Sequence, residues 1–406
     1  MGNCHNKDIF KSALTALDSQ GLVKLLKKMV GFPSYSRSRE EREIALFLFD
    51  YLKQTGIDVQ LQEVEEKRFN VIGRLSGTGG GKSLLFNGHL DINSPAEGWT
   101  KDPFAGLVED GYMYGMGVVN MKAGDAAFIM AAEAIQKTGI RLKGDVILSL
   151  VVGELQGGIG TIHMLEQGMT ADAFIVAEPT ELLVLTRHMG MVHVDIIAIG
   201  RSCHLSSKEK GLSAIESMYE IISSIEKSTE TSHTKLFERF NVGAIRGGLS
   251  EQCHSWRPSL VPDYCVAACD FRIPPGQSEE RLIKELQEIT EKIKDKKTGL
   301  EIRVELLKPP RYYHMPPFEV NDEEEIVKTV MENHRIVTGK EPRIAHFPPY
   351  LFYASDASHL HMKGYIPGVV YGPGGATVSQ PDERVLLEDV IAASKVYMLS
   401  IIKTCS

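Results

Sequence analysis

The sequence predicts a two-part fold, an open α/β domain into which a smaller α+β domain is inserted. Three observations carry this. The chain has 406 residues, too many for one ordinary core and enough for two domains of roughly 100 to 250 residues each. Between Leu84 and Glu178, apolar runs such as Ser83-Leu84-Leu85-Phe86 and Val146-Ile147-Leu148-Ser149-Leu150-Val151-Val152 give way to glycine, and strand ends of this kind are where an open α/β sheet places its ligands. After Val184 the character shifts, and residues 187–308 read as βαββαβ, leaving 1–186 and 309–406 to the α/β domain.

Taken in order, residues 8 to 30 carry Ile9, Leu14, Leu17, Leu22, Leu25, Leu26 and Val30 at helical spacing, and Ser38 to Lys53 repeats Ile44, Ala45, Phe47, Leu48 and Leu52. Both read as amphipathic helices, with Pro33 as the stop between them. Residues 59–64 alternate as an edge strand, residues 70–75 form the next, and Gly77 to Gly81 reads as a hairpin turn. A helix from Lys122 to Thr138 is hydrophobic on most sides, so it packs on a sheet. The inserted segment offers strands at 192–199, 240–245, 264–271 and 301–307 with helices at 213–225 and 279–293. That order predicts a four-stranded antiparallel sheet with two helices on one face. The α/β pattern then returns with a helix at 322–337, a loop into a helix at 353–357, a strand at 368–371, the tight Gly372-Pro373-Gly374-Gly375, and a last helix at 387–402.

Composition narrows the function. With 43% hydrophobic and 24% charged residues the chain has enough of each for a core and a solvated surface. A formal charge of -8 without a basic block gives no footprint for nucleic acid. No apolar run reaches the roughly 20 residues of a membrane span, and Met1-Gly2-Asn3-Cys4 reads as an ordinary start, because Asn6 stands where myristoylation wants Ser or Thr. The six cysteines are scattered without a CxxC pair, which fits a reducing cytoplasm, and Cys265 and Cys269 read as apolar fillers of a strand.

Four short segments carry the chemistry: Gly88-His89-Leu90-Asp91, Asn120-Met121-Lys122, Glu154-Leu155 with the glycines after it, and Glu178-Pro179-Thr180. His89 with Asp91 two residues on fits either a metal-bound imidazole steadied by a carboxylate or a metal-free His–Asp hydrogen bond. Glu154, after a continuous apolar strand and beside Leu155, suits acid or base work near neutrality, because an apolar neighbour raises a carboxyl pKa. Its plainer reading is a surface carboxylate at a strand end.

In order and spacing these segments resemble the zinc-dependent deacylase and exopeptidase family of acetylornithine deacetylase, succinyl-diaminopimelate desuccinylase, aminoacylase and carboxypeptidase G. The likeness extends nearly to the C-terminus. It implies a zinc-exopeptidase-like α/β catalytic domain with an inserted ferredoxin-like lid and dimerisation domain, a small-molecule substrate and a homodimer. In that family two zinc ions share a bridging Asp at the position of Asn120. His89 and Glu178 match ligands of the first ion. The second ion's Glu position holds Leu155 and its His position holds Ser379, so every position that served it has changed. Glu154 matches the general base. His204 matches a histidine that reaches the scissile carbonyl oxygen, Arg272 a binder of the substrate carboxylate, and Gly372 and Gly374 a loop near the substrate. Ser259 stands where the family has Asn.

An amide oxygen at Asn120 and an apolar side chain at Leu155 make a dinuclear site untenable, so the expectation is no metal or at most one zinc. Three readings follow. The leading one is a metal-independent enzyme in which Glu154, assisted by Asp91 and His204, moves a proton on a small amino-acid-like or acyl-amino substrate held by Arg272, Asn120, Ser379 and the glycine loop. Condensation, elimination, cyclisation or acyl transfer all suit it. The second is a mononuclear amidohydrolase with one zinc on His89 and Glu178. The third is a non-catalytic descendant that binds a ligand or a partner.

Overall fold

The computed structural model describes residues 10, 12–231, 237–254, 258–307, 312–345 and 350–406. The chain divides into two compact units, one comprising the chain up to Arg187 with Phe318–Leu351 and Ser355–Ser406, the other His188–Pro317 with Phe352–Ala354. The insert thus ends at Pro317 rather than 308. After the last inserted strand the chain folds back, and Met191 and Met315 exchange backbone hydrogen bonds of 2.8 and 3.2 Å.

In the first unit, α1 (Ser19–Val30) and α2 (Arg39–Thr55) bury Leu22, Leu25, Leu26, Ile44 and Leu48. The single helix expected over residues 8–30 is broken at residues 17–18, because the Asp18 carboxylate accepts the Gly21 N–H at 2.8 Å and starts α1 afresh. The acylation reading of the first four residues lies outside the described residues.

Six strands form the main sheet: β1 (Asp58–Glu65), β2 (Arg68–Leu75), β3 (Leu84–His89), β4 (Val146–Val151), β5 (Ala173–Val176) and β10 (Gly368–Val370), in the order β1-β2-β4-β3-β5-β10. Strands β4, β3, β5 and β10 run parallel, and β2 joins β4 antiparallel. Gly77 to Gly81 is therefore not a hairpin turn, since β4 lies between β2 and β3. The glycines let the connection pass the start of β4, where a Cβ at Gly77 would sit 2.3 Å from the Lys143 carbonyl oxygen. Helix α3 (Ala123–Thr138) is buried at every position from Ala123 to Ile135 and packs with the last helix, Leu387–Cys405, and with the sheet, and the short α4 (Ile159–Glu166) follows β4. Phe86 of β3 stands between Phe128 and Tyr397, with ring centroids 5.7 and 5.3 Å away.

The inserted unit contains β6 (Gly190–Ile199), α5 (Ala214–Thr231), β7 (Arg239–Gly248), β8 (Tyr264–Ile273), α6 (Glu279–Lys294) and β9 (Glu301–Leu306). The expected βαββαβ order gives an antiparallel four-stranded sheet, β7-β8-β6-β9. Alternate residues of β6 and β8, including Val192, Val194, Cys265 and Phe271, meet Met218, Ile221, Leu282 and Leu286 of the two helices. Cys265 and Cys269 are fillers in this core, and burial pushes their thiols up to about 11 and about 12. Among the described residues no helix is long and apolar enough to cross a membrane.

Candidate active site

Three neighbouring parallel strands end side by side. His89 is the last residue of β3, Glu154 opens a short turn after β4, and Glu178 follows β5 at the same edge. All three side chains are buried, and one ligand atom from each lies within 4.8 Å of the others. His89 Nε2 is 3.5 Å from Glu178 Oε1, 3.9 Å from Glu154 Oε2 and 3.2 Å from Asn120 Oδ1. The sheet thus delivers the motifs to one point, at the carboxyl ends of its strands.

Asp91 does something other than clamp the imidazole. His89 Nδ1–H donates to the Asp91 backbone carbonyl at 2.8 Å, while the nearer carboxylate oxygen is 3.6 Å away. The Asp91 carboxylate instead accepts the backbone N–H groups of Glu154 and Leu155, each at 3.1 Å. It thereby fixes the turn that carries Glu154, and a carbonyl partner for Nδ1–H leaves Nε2 as the atom that faces the carboxylates. Gly153, at φ 70°, makes this turn possible, because a Cβ there would meet Ile159 at 2.4 Å and Arg68 Nη2 at 3.1 Å. Behind it, Arg68 grips the fully buried Glu41 through Nε and Nη2 at 2.7 and 2.8 Å.

Electrostatically the point is strongly negative. Burial opposes charge on His89, but the hydrogen bond and charge of Glu178, then Glu154 and Asp91, hold its pKa well above the usual range. Burial raises the Glu154 carboxyl, and Glu178, Asp356 and Asp91 push it further against the pull of His89. Asp356 is buried beside the Gly157-Gly158 turn, and burial pushes it up to about 7. A third acid, Asp125 on α3, lies under Gly88, and burial raises it well above the carboxylate range. Neither Asp125 oxygen has a hydrogen-bond partner among the described residues.

Glu383 joins two loops. Its carboxylate accepts the N–H groups of Val119 at 2.8 Å, Asn120 at 3.4 Å and Ser379 at 3.1 Å, and burial still pushes it up to about 7. This brings Ser379, with its left-handed φ of 54°, to the same small gap as His89, Asp91, Asn120 and Leu155. Lys122, fully buried, donates from Nζ to the Phe32 carbonyl at 2.7 Å, and burial lowers it to about 7.

A single cation fits what is present. Two carboxylates, an imidazole nitrogen and an amide oxygen converge out of water, and the charge of Glu178 adds to burial in raising the Glu154 carboxyl. A second cation does not fit, because Leu155 offers no donor and Asn120 and Ser379 offer only neutral oxygens.

The other expected residues stand elsewhere. Gly372 was expected to make room for a substrate, but the close approach is to the protein's own chain. A Cβ there would lie 2.4 Å from the carbonyl oxygens of Ala177 and Glu178, and Gly372 and Thr180 exchange hydrogen bonds. The Gly374 carbonyl accepts the Glu181 N–H at 2.6 Å. His204 and Arg272 belong to the inserted unit. His204 is exposed, and its Nδ1 accepts the Ser206 N–H at 3.2 Å. Arg272 is bound to Asp270 at 2.7 Å, the ion pair its place two residues along one strand face allows. Sequence reasoning missed Asp125, Asp356 and Glu383. An acid in the first turn of a mostly apolar helix was a readable signal for the first, whereas the other two sit in loop segments that look like ordinary caps.

The family model for peptidase family M20/M25/M40 matches residues 85–403. The N-formyl-4-amino-5-aminomethyl-2-methylpyrimidine deformylase of Bacillus subtilis (strain 168) is 26% identical over 417 aligned positions, covering 95% of each chain. The deformylase of the same name from Halalkalibacterium halodurans is 24% identical, over 96% of this chain and 95% of that one. Among solved structures, a tripeptidase of Staphylococcus aureus superposes with a TM-score of 0.74 at 22% identity, over 95% of this chain and 98% of that one, a likeness of fold.

Proposed function

The chain belongs to peptidase family M20/M25/M40, and from that premise we propose that it hydrolyses the amide of a small N-acylated amine, with a formamide the first substrate to try. Membership makes the chain a hydrolase-family enzyme with a deacylase fold. The observation that carries the finer reading is the buried convergence of His89, Glu154 and Glu178 with Asn120 Oδ1. Curated relatives that match nearly the whole chain are named deformylases, which favours the mononuclear amidohydrolase over the metal-independent chemistry expected first.

In this reading His89, Glu178 and the Asn120 oxygen would hold one zinc, which would supply Lewis-acid polarisation of the amide carbonyl and of water. Glu154 takes the proton from the attacking water and returns it to the departing amine. Its burial, with the charges of Glu178, Asp356 and Asp91, raises its proton affinity above that of an ordinary carboxylate, which suits proton transfer near neutrality. Asp91 holds Glu154 at its post through the two backbone N–H groups. A positioned general base contributes on the order of 10² to 10⁴ in rate, far from the upper part of the roughly 10⁶ to 10¹⁷ range of enzymes. The remainder falls to carbonyl polarisation and orientation.

The proposal extends to setting. A homodimer through the inserted unit is supported by exposed Ile215, Tyr219 and Ile245 on α5 and the edge strand β7, and a cytoplasmic location by cysteines that are free among the described residues.

Elemental analysis and formamide turnover test the reading together. About one zinc per chain, activity lost in strong chelator and regained with zinc, and a Glu154→Gln loss of roughly 10² or more are expected. Full activity in chelator, with no stoichiometric metal, would overturn it in favour of the metal-independent enzyme, a reading supported by the changes at Asn120, Leu155 and Ser379. Turnover unaffected by Glu154→Gln would overturn both.

A further inference from the structure

The turn that carries Glu154 has little to hold it from within. It runs from Gly153 to Gly158, and Gly153, Gly157 and Gly158 all stand in the left-handed region, at φ 70°, 87° and 80°. The Gly157 and Gly158 N–H groups donate to the Glu154 carbonyl at 2.8 and 3.1 Å. Neither the turn nor α4 after it has a side-chain cap at its start. Glycine-rich backbone has more freedom to lose than any other, so the placement of Glu154 has to be imposed from outside. Asp91 supplies one anchor, on the N–H groups of Glu154 and Leu155.

A second anchor comes from the C-terminal part of the chain, within the same unit. The short helix Ala357–Met362 begins at Ser355, whose hydroxyl accepts the Ala357 N–H at 3.3 Å, and it packs on α4. From this helix His359, 1% exposed, brings its Nε2 to 2.8 Å from the Gly157 carbonyl oxygen. A carbonyl only accepts, so Nε2 carries the proton and the imidazole donates. Gly157 is buried too, and without this donor its carbonyl would be left unsatisfied away from water. Gly158 makes the approach possible. A Cβ there would sit 2.5 Å from Asp356 Oδ1, and 2.6 and 2.9 Å from Cδ2 and Nε2 of His359. Asp91 thus holds the start of the turn and His359 its end, with the Glu154 carboxylate carried between them.

We propose that His359 is a positioning residue for Glu154: through the Gly157 carbonyl it sets where the carboxylate stands, without touching the reacting atoms. The proposal rests on the amidohydrolase reading above only for its turnover readout.

Two variants of the full-length protein test it. His359→Phe removes the donor and keeps a ring, whereas His359→Gln puts an amide N–H close to the place of Nε2–H. Formamide turnover and backbone hydrogen exchange across residues 153–158 are measured on both. His359→Phe is expected to lower kcat roughly tenfold to a hundredfold with KM within about twofold of wild type, and to speed exchange in the turn. His359→Gln is expected to return most of both. Because Asp91→Asn loosens the same turn, adding His359→Phe to it should cost less than the product of the two separate losses. Circular dichroism confirms folding, and if the Phe variant misfolds, His359→Asn, whose shorter amide falls short of the Gly157 oxygen, takes its place. A histidine that merely fills the core would give equal losses with Phe and Gln, and effects independent of Asp91→Asn. That pattern, or wild-type kcat and exchange in His359→Phe, overturns the assignment. If the wild type turns over no formamide, the hydrolytic reading fails and exchange decides alone: faster exchange that Gln reverses sustains the positioning role, and unchanged exchange ends it.

Discussion

Replacing Asp91 with asparagine tests how Glu154, the proposed general base, is held. The two Asp91 oxygens accept the N–H groups of Glu154 and Leu155 at 3.1 Å each, and the side chain is fully buried. An amide of the same shape keeps one acceptor and turns an NH₂ group toward the other N–H. The loss is one charge-assisted hydrogen bond, about 1.5–3 kcal/mol, and one buried unsatisfied N–H, about 1–3 kcal/mol, so about 2.5–6 kcal/mol in all. The turn relieves the clash by moving away, and a displacement of Glu154 on the order of 1 Å costs roughly 10²-fold in rate. Urea unfolding of Asp91→Asn and wild type gives the stability difference, and steady-state turnover of a formamide splits the rate effect. We expect kcat to fall with KM little changed, because the carboxylate touches the backbone of the turn. An Asn variant within about 1 kcal/mol of wild type that also kept its kcat would refute the assignment.

Three other outcomes follow from the same structure. Arg68→Met leaves Glu41 buried without its partner and should cost about 3–5 kcal/mol in chemical denaturation, with much of the loss recovered when Glu41 is also made apolar. His188, whose folded pKa of about 4 lies below an unfolded value near 6.5, contributes stability that is fully present above pH 6.5 and disappears as pH falls toward 4. That contribution is at most about 3 kcal/mol, and melting curves of wild type and His188→Phe between pH 7 and 4.5 should converge as the variant loses less. The triple variant Asn120→Asp, Leu155→Glu, Ser379→His places three donors around one gap and should raise bound zinc to two ions per chain by elemental analysis. An unchanged count would show that the gap cannot close around a second ion.

Much of this site was legible because glycine marks the ends of β3 and β4 and Pro179 follows Glu178 after β5, so His89, Glu154 and Glu178 could be placed at strand ends before any geometry was known. The inserted βαββαβ pattern was legible for a similar reason, since period-2 and helical spacings alternate cleanly there. What escaped was non-local. Nothing near Gly77 to Gly81 reveals that β4, some 70 residues on, slides between β2 and β3. Nothing near Asp91 reveals that its carboxylate holds the turn after β4 rather than the imidazole next to it. The ion pair of Arg272 with Asp270 could be anticipated from i, i+2 spacing, but its consequence for charge needed His193 opposite in register.

The departures that the resemblance implies at positions 120, 155 and 379 make physical sense as one change. Asp91, Glu154 and Glu178 already crowd His89, and the pKa values of Glu154, Asp125 and Asp356 are raised in part by one another's neighbours. Two unit charges about 5 Å apart interact by about 3 kcal/mol at an effective dielectric near 20. An Asp at position 120, with its oxygen 3.2 Å from His89 Nε2 as the Asn oxygen is, would add such a penalty against each neighbouring carboxylate unless a second cation offset it. Once Leu155 and Ser379 stand where donors for that cation would be, the neutral amide is the side chain of aspartate shape that the pocket accepts. The same reasoning explains why Glu154 and Glu178 can both remain: with Asp91 held by two backbone N–H groups, one divalent cation beside His89 would offset the other two carboxylates, and a further one at position 120 would have no partner.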